Sequence, residues 1–176
     1  SRGVEIESMY SLSENWLLGA NGAYLDATYN DFESGCPANQ NEWNAQCVSD
    51  SGFIQDLSGE RLPLAPEWST TIFAEFTGSL ADKLVMKARA DAVYQDDIKF
   101  EPTPDSYLTQ DAFWTYNLRV ALEPKDESWT LALAGMNLSN KRTSNFGGPS
   151  LGLPGTYFAN TSQPLRIQLS AVYRFL

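Results

Sequence analysis

Hydrophobic and polar residues alternate with a period of two along several stretches of the chain. In the C-terminal stretch after Pro164, one face holds Leu165, Ile167, Leu169, Ala171, Tyr173 and Phe175, and the other holds Arg166, Gln168, Ser170, Val172 and Arg174. This period places successive side chains on opposite faces of a β-strand. The same alternation runs from Trp68 to Phe76, from Met86 to Gln95 and from Trp114 to Leu122. Each stretch therefore predicts a strand with one apolar face and one largely polar face.

Weaker alternation predicts three more strands, from about Val4 to Tyr10, Trp16 to Tyr29 and Trp129 to Leu138. A helical spacing of apolar residues fits none of the seven stretches over three turns. Gly, Pro, Asn and Asp cluster between them, which is typical of turns. The sequence thus predicts an all-β fold, an antiparallel meander of about seven long strands.

The predicted connections alternate between short and long. Short turns are expected at about Ser11 to Asn15, Gly78 to Lys83 and Pro124 to Ser128, and long ones at about Asn30 to Glu67, Phe100 to Asp111 and Asn140 to Gln163. All the long connections would then lie at one end of the sheet. Short turns at one end and long loops at the other are typical of outer-membrane β-barrels.

Strand length and aromatic content favour the same interpretation. Several stretches alternate over nine or more residues, close to the 9 to 11 that a tilted membrane strand needs and above the roughly 5 to 6 of an average globular strand. The chain has 5 Trp, 8 Tyr and 9 Phe, and aromatic residues fall toward the predicted strand ends, where girdles meet the membrane interfaces. These are Trp16, Tyr29, Trp68, Tyr94, Trp114, Trp129, Tyr173 and Phe175. A soluble sandwich with amphipathic strands is the alternative.

Composition removes several classes of function. With 12 basic and 22 acidic residues the net charge is -10, which argues against binding to nucleic acid. The chain lacks histidine and has two cysteines, so it cannot supply a Ser-His-Asp triad, a Cys-His pair or a His-ligated metal site. No apolar run approaches the roughly 18 residues of a transmembrane helix. The sequence predicts a protein that is not an enzyme and has no cofactor or metal.

Seven strands do not make a closed bacterial barrel, since such barrels have an even number of strands from 8 upward. An open edge in lipid would leave backbone groups without hydrogen-bond partners. Because Gly3, Val4 and Glu5 enter a strand at once, we expect the chain to be a fragment of a longer protein.

Five segments in order resemble the C-terminal barrel end of TonB-dependent outer-membrane receptors. They are Gly3-Val4-Glu5-Ile6-Glu7, Tyr24-Leu25-Asp26-Ala27-Thr28-Tyr29, the Leu57–Trp68 stretch, the Gly135–Arg142 stretch and Ser170-Ala171-Val172-Tyr173-Arg174-Phe175. The resemblance implies that residues 1–176 are the last seven strands of a 22-stranded barrel whose plug domain and earlier strands are absent. It departs from the family at the end, where Leu176 follows the terminal aromatic residue.

The resemblance also implies a function and a set of partners. The family imports scarce nutrients, most often ferric siderophores, across the outer membrane of Gram-negative bacteria. The expected partners are outer-membrane lipid, the plug and remaining strands, the TonB complex acting through the plug, the barrel assembly machinery acting through the last strand, and a small-molecule nutrient. The C-terminus would lie in the periplasm and the long loops outside the cell. The alternative function is a complete small outer-membrane or soluble β-sheet binding module, such as an adhesin or lectin-like domain.

Four groups of residues are candidates for functional roles. Cys36 and Cys47 enclose ten residues of the first long loop and predict a disulfide, as expected in an exported protein. Aromatic and amide residues in that loop are candidate ligand contacts: Asn39, Gln40, Asn41, Trp43 and Phe53. Charged residues on the polar face are predicted to face the barrel lumen: Glu75, Lys87, Arg89, Asp91, Arg119, Arg166 and Arg174. Tyr173 and Phe175 are the predicted assembly signal.

Overall fold

The computed structural model describes residues 1–36, 54–103, 105, 107–150, 153 and 155–175. This part of the chain contains thirteen β-strands, and none of it forms a helix long and apolar enough to cross a membrane. In chain order the strands are β1 (Arg2–Ser11), β2 (Trp16–Asp26), β3 (Glu33–Gly35), β4 (Ile54–Asp56), β5 (Trp68–Ala81), β6 (Leu84–Gln95), β7 (Ile98–Lys99), β8 (Thr109–Gln110), β9 (Phe113–Pro124), β10 (Trp129–Met136), β11 (Gly147–Pro149), β12 (Tyr157–Ala159) and β13 (Arg166–Tyr173).

Seven long strands form one antiparallel sheet in the order β1-β2-β5-β6-β9-β10-β13. Each long strand pairs with the next long strand along the chain, which confirms the predicted seven-stranded meander. Strands β1 and β13 form the two edges of the sheet. The remaining strands pair two by two as β3–β4, β7–β8 and β11–β12, and all three small hairpins lie in the long connections.

Several predicted strand boundaries are wrong. β2 ends at Asp26 rather than Tyr29, because the chain leaves the sheet and the Tyr29 ring stacks on Phe32 with ring centroids 4.4 Å apart. β10 ends at Met136, and β13 ends at Tyr173, so Phe175 lies beyond the strand. β5 continues through the predicted turn to Ala81 with a shift of register near its end.

Strand register places the apolar and polar residues of each long strand on opposite faces of the sheet. Leu118 lies opposite Ala90 on one side and Gly135 on the other, whereas Arg119 lies opposite Arg89 and Ala134. We call the face that carries Leu118 the apolar face and the one that carries Arg119 the polar face. Exposed large hydrophobic side chains are abundant on the apolar face, which includes Val4, Ile6, Trp16, Leu18, Trp68, Ile72, Trp114, Leu133, Ile167 and Leu169.

Aromatic pairs mark both ends of the apolar face. Near the short turns, Trp16 lies 5.0 Å from Phe76 between ring centroids. Near the long connections, Tyr24 lies 4.8 Å from Trp68, and Tyr94 lies 5.1 Å from Trp114. Trp16 and Tyr24 are eight residues apart, or about 26 Å along the strand. A strand tilt of roughly 40° reduces this to about 20 Å, comparable with the roughly 25 Å apolar band of outer-membrane barrels.

Candidate functional site

The three long connections pack against one another at one end of the sheet. The first two are joined by two ion pairs. Arg61 Nη1 lies 3.1 Å from Asp97 Oδ2, and its Nη2 donates a hydrogen bond of 2.8 Å to the Asp97 carbonyl oxygen. Lys99 Nζ lies 2.6 Å from Glu60 Oε2. Each cation side chain is about three-quarters buried, so these pairs hold the first connection against the second more firmly than exposed pairs would.

The second and third connections share a small apolar core. Ile98, Phe100 and Leu108 are buried, and Tyr157 packs against them from the third connection. The Tyr157 hydroxyl donates a hydrogen bond of 2.8 Å to Asp105, and the Tyr157 ring stacks on Tyr107 with centroids 5.3 Å apart. We call these joined connections the loop shell: residues 27–36 and 54–67, residues 96–112 and residues 137–165, each where described.

Gly147 is required where the third connection meets this core. A Cβ added there would lie 2.8 Å from the Phe100 ring, closer than Cβ atoms approach other atoms, and 3.1 Å from the Phe158 carbonyl oxygen, which is tighter than most such contacts. The Gly147-Gly148-Pro149 segment therefore serves close packing between the second and third connections.

One carboxyl group in the loop shell has a shifted pKa. Partial burial, and secondly the nearby charge of Asp105, raise the pKa of Glu101 above its usual value. Glu101 lies against the third connection, since its Oε1 would be 3.3 Å from a Cβ placed on Gly148. Within the described ranges, no group of three or more His, Cys, Asp or Glu side chains could hold a metal ion. The shell thus offers aromatic surface and carboxylates.

The predicted ligand contacts in the first connection lie outside the described residues. This applies to Asn39, Gln40, Asn41, Trp43 and Phe53. Cys36 follows strand β3 and is disulfide-bonded, whereas Cys47 lies outside the described residues, so the Cys36–Cys47 pairing stays a prediction. What the structure describes of this connection is its base, where Glu33 pairs with Asp56 in the β3–β4 hairpin.

The middle of the polar face carries a charge network. Arg89 lies 3.3 Å from Glu75 Oε2 and 2.9 Å from Asp91 Oδ1, and its guanidinium lies 4.0 Å from the centre of the Phe73 ring. Lys87 pairs with Glu123 on the neighbouring strand. The alternation of residues predicted only that Glu75, Arg89 and Asp91 share one face, and the register of β5 and β6 brings them into direct contact.

The remaining predicted charges lie toward strands β9 to β13. Arg119 faces Arg89 across the β6–β9 pair and is exposed. The Arg166 guanidinium contacts the Met136 sulfur, and Arg174 donates a hydrogen bond to the Glu127 carbonyl oxygen at the last short turn. Register places Arg119 and Arg166 on the polar face. Their orientation toward a barrel lumen stays a prediction.

The predicted assembly signal lies at the end of the last strand. Tyr173 pairs with Trp129, and the Tyr173 and Phe175 rings meet edge to face with centroids 4.9 Å apart. Phe175 is 90% exposed, so its ring is accessible to another protein. Its role in assembly stays a prediction.

Asn137 and Asn140 hold the start of the third connection in place, a role that the sequence pattern did not indicate. Both residues have positive φ, 50° and 48°, which asparagine tolerates better than most residues. The Asn137 amide nitrogen donates to the carbonyl oxygens of Lys141 and Gln163, and its amide oxygen accepts from the Lys141 N–H. Asn140 accepts a hydrogen bond from the Leu165 N–H. The two asparagines thereby fix the start of the third connection to its end.

Comparison with known families identifies one match. The model for "TonB dependent receptor-like, beta-barrel" matches residues 1–138, more than three-quarters of the chain. That family consists of outer-membrane receptors and transporters rather than enzymes. No curated protein sequence matches the chain.

Several solved structures share the fold, and three of them are siderophore receptors. The ferric yersiniabactin uptake receptor FyuA from Yersinia pestis superposes with a TM-score of 0.71 at 13% identity, covering 99% of this chain and 23% of that one. The siderophore receptor PiuA from Acinetobacter baumannii gives 0.66 at 19% identity, with 96% and 21% coverage. The ferric preacinetobactin receptor BauA, also from Acinetobacter baumannii, gives 0.60 at 13% identity, with the same coverage. The chain therefore spans less than a quarter of each of these receptors.

Proposed function

The chain belongs to the TonB-dependent receptor-like β-barrel family, and on that premise we propose that it forms the last seven strands of a plugged outer-membrane barrel that imports a ferric siderophore. In this proposal residues 1–176 are the C-terminal part of a 22-stranded barrel. The observation that carries it is the family match over residues 1–138, joined to a sheet with one apolar face between two aromatic girdles.

The apolar face supports a membrane setting over the soluble alternative. Ile167 and Leu169 of strand β13 are 68% and 71% exposed, and similar residues cover the same face of all seven strands. A contiguous apolar surface this large would promote aggregation in water. In a bilayer the same surface is solvated by hydrocarbon, and the paired Trp, Tyr and Phe rings lie at the two interfaces.

The loop shell is the proposed ligand side of the receptor. All long connections meet at one end of the sheet, and the chain ends at the other, next to the short turn at residues 125–128. We place the shell outside the cell and the C-terminus in the periplasm. Tyr107 is 76% exposed although its ring stacks on Tyr157, so it offers a fixed aromatic surface to a ligand.

The polar face is the proposed lumen side, where it would meet the plug. Arg89 lies between the carboxylates of Glu75 and Asp91, which together leave one net negative charge, and the exposed Arg119 is available for contacts with another element. The energy for import would come from the TonB complex acting through the plug. Insertion would depend on the assembly machinery recognising the last strand, with its exposed Phe175. These partners come from the family and lie outside this chain.

Uptake by whole cells tests the proposal. A strain lacking the gene is complemented with the wild-type gene, and the uptake of ⁵⁵Fe bound to a panel of siderophores is measured beside the uptake of ⁵⁷Co-cobalamin and haem. We expect at least one ferric siderophore to be taken up only by the complemented strain, and a protonophore to stop this uptake. Gene-dependent uptake of cobalamin or haem with no ferric siderophore would contradict the substrate. No gene-dependent uptake of any kind would contradict the transport function.

A pair of variants tests which end of the sheet binds the ligand. Tyr107→Ala removes exposed aromatic surface from the loop shell, and Lys125→Gln alters the short turn at the opposite end of the sheet. We expect the first to raise the concentration for half-maximal uptake and the second to leave it unchanged, at equal surface levels of both proteins. The reverse result would contradict the assignment of the two ends.

A further inference from the structure

The apolar face carries a trough that the proposed transport function does not use. The cavity has a volume of about 580 Å³, within the range of small-molecule sites. Its floor is made by alanines of β2, β5 and β6, and its sides by larger apolar residues of β1, β2, β5 and β9. The floor residues are Ala20, Ala74, Ala90 and Ala92, and the sides include Tyr10, Leu18, Ile72, Tyr116 and Leu118.

Register explains why the trough forms. Ala74 lies directly opposite Ala90, while Leu18 and Leu118 lie one strand further out on either side. Small side chains on two central strands thus stand between bulky ones on the flanking strands. Ala92 and Ala90 lie two and four residues from Tyr94 of the aromatic girdle, or about 7 and 13 Å along the strand. The trough therefore begins just below the girdle at the loop-shell end, at the depth of one leaflet of hydrocarbon.

The turn that borders the upper end of the trough through Leu138 carries a basic pair, Lys141 and Arg142. Leu138 lines the cavity, and Asn137, the residue before it, binds both the N–H and the carbonyl oxygen of Lys141. Lys141 and Arg142 are the only adjacent basic residues in a chain of net charge -10. Both are exposed, and neither forms an ion pair within the described residues. Ser139 of the same turn donates to the Trp114 carbonyl oxygen, which places the turn at the level of the girdle.

We infer that this trough binds an anionic membrane lipid, with a hydrocarbon chain on the alanine floor and a phosphate of the headgroup at Lys141 and Arg142. Basic side chains at a membrane interface attract anionic headgroups. Because the chain is acidic overall, this basic pair is the point on the girdle where a headgroup of net negative charge is favoured over a zwitterionic one. The inference rests on the membrane setting proposed above but not on the transported nutrient.

Native mass spectrometry of the full-length protein tests the inference. The protein, purified in detergent, is titrated with phosphatidylglycerol, with phosphatidylcholine of the same chains, and with inorganic phosphate. We expect the first phosphatidylglycerol to bind roughly 30-fold more tightly than phosphatidylcholine, as two interfacial cations predict. The K141Q/R142Q variant should remove that preference, and Lys125→Gln should retain it.

A variant that fills the trough distinguishes binding of the lipid's hydrocarbon chain from binding of its headgroup. Ala90→Leu places a larger side chain on the floor, and Ala171→Leu makes the same change elsewhere on the apolar face, opposite Leu131. We expect the first to weaken binding of both lipids several-fold and the second to change neither. Equal binding of the two lipids to the wild-type protein, or equal effects of the two alanine variants, would overturn the inference. Binding of inorganic phosphate as tight as that of the lipid would show a free-anion site instead. Lipid binding as inferred without any nutrient uptake would contradict only the proposed function.

Discussion

Leu169 and Gln168 provide a matched test of the two faces, because they are neighbours on β13 and point to opposite sides of the sheet. Leu169 lies opposite Leu133 on the apolar face and is 71% exposed, while Gln168 lies opposite Ala134 on the polar face. We compare two variants, Leu169→Arg and Gln168→Arg. Because Leu169 packs little against the protein, the cost of Leu169→Arg reports mainly the medium around it.

The expected cost of Leu169→Arg follows from the depth of Leu169 in the membrane. Leu169 is four residues from Tyr173, or about 13 Å along the strand and roughly 10 Å along the membrane normal after tilt. This places it near the middle of an apolar band about 25 Å tall, where an arginine costs about 2–4 kcal/mol. That cost corresponds to a roughly 30- to 700-fold shift in the folding equilibrium. Gln168→Arg adds a charge to a face that already carries arginines, and its expected cost is below about 1 kcal/mol.

The assay is the fraction of full-length protein that keeps its folded, heat-modifiable mobility on a gel over a urea series in lipid vesicles. We expect Leu169→Arg to lower the urea midpoint and the amount of folded protein in the membrane, and Gln168→Arg to resemble wild type. Equal midpoints for the two variants, or a larger loss for Gln168→Arg, would refute the assignment of faces.

Three further predictions concern the loops and the last strand. The raised pKa of Glu101 means that the folded shell binds its proton more tightly than the unfolded chain does, so this contribution to stability is fully present below the usual pKa of 4.5 and is lost as the pH rises through the raised value. Glu101→Gln should therefore slow backbone hydrogen exchange over residues 98–110 at pH 7, and the exchange rate should no longer change with the protonation of residue 101. A pH profile of exchange that is the same in the variant and the wild type would contradict the burial of Glu101. Serine at both Cys36 and Cys47 should weaken ligand binding and leave barrel assembly intact, and the unreduced wild-type protein should show no reactive thiol; two thiols would exclude the disulfide. Deletion of Tyr173 to Phe175 should abolish outer-membrane assembly of the full-length protein, and normal surface levels after the deletion would remove the role given to the last strand.

The long strands could be predicted because a two-residue period over nine or more positions has no helical counterpart. The amphipathic pattern also determined the faces, since a strand shifted by one residue would exchange every side chain. Strand ends were less predictable. The sequence predicts that β2 extends to Tyr29, yet Tyr29 leaves the sheet because stacking on Phe32 and hydrogen bonding to the first connection replace strand pairing.

The structure of the loop shell could not be predicted from the sequence. The hairpins β7–β8 and β11–β12 have strands of two or three residues, too short to show a period. Contacts such as Arg61 with Asp97 and Tyr157 with Asp105 join residues 36 and 52 positions apart, and no local pattern signals them. In the network of Glu75, Arg89 and Asp91, by contrast, the shared face followed from the alternation, and only the pairing required the register.

A spin-label scan of β13 determines whether the apolar face of this sheet lies against lipid and the polar face against an aqueous lumen. Single cysteines at positions 166 to 171 of the full-length protein in bilayers would carry a nitroxide, and collision rates with oxygen and with a water-soluble nickel chelate would be compared. We expect oxygen-dominated collisions at Ile167, Leu169 and Ala171 and nickel-dominated collisions at Arg166, Gln168 and Ser170. Collision rates without a two-residue period, or with the two sets exchanged, would contradict this assignment of the faces.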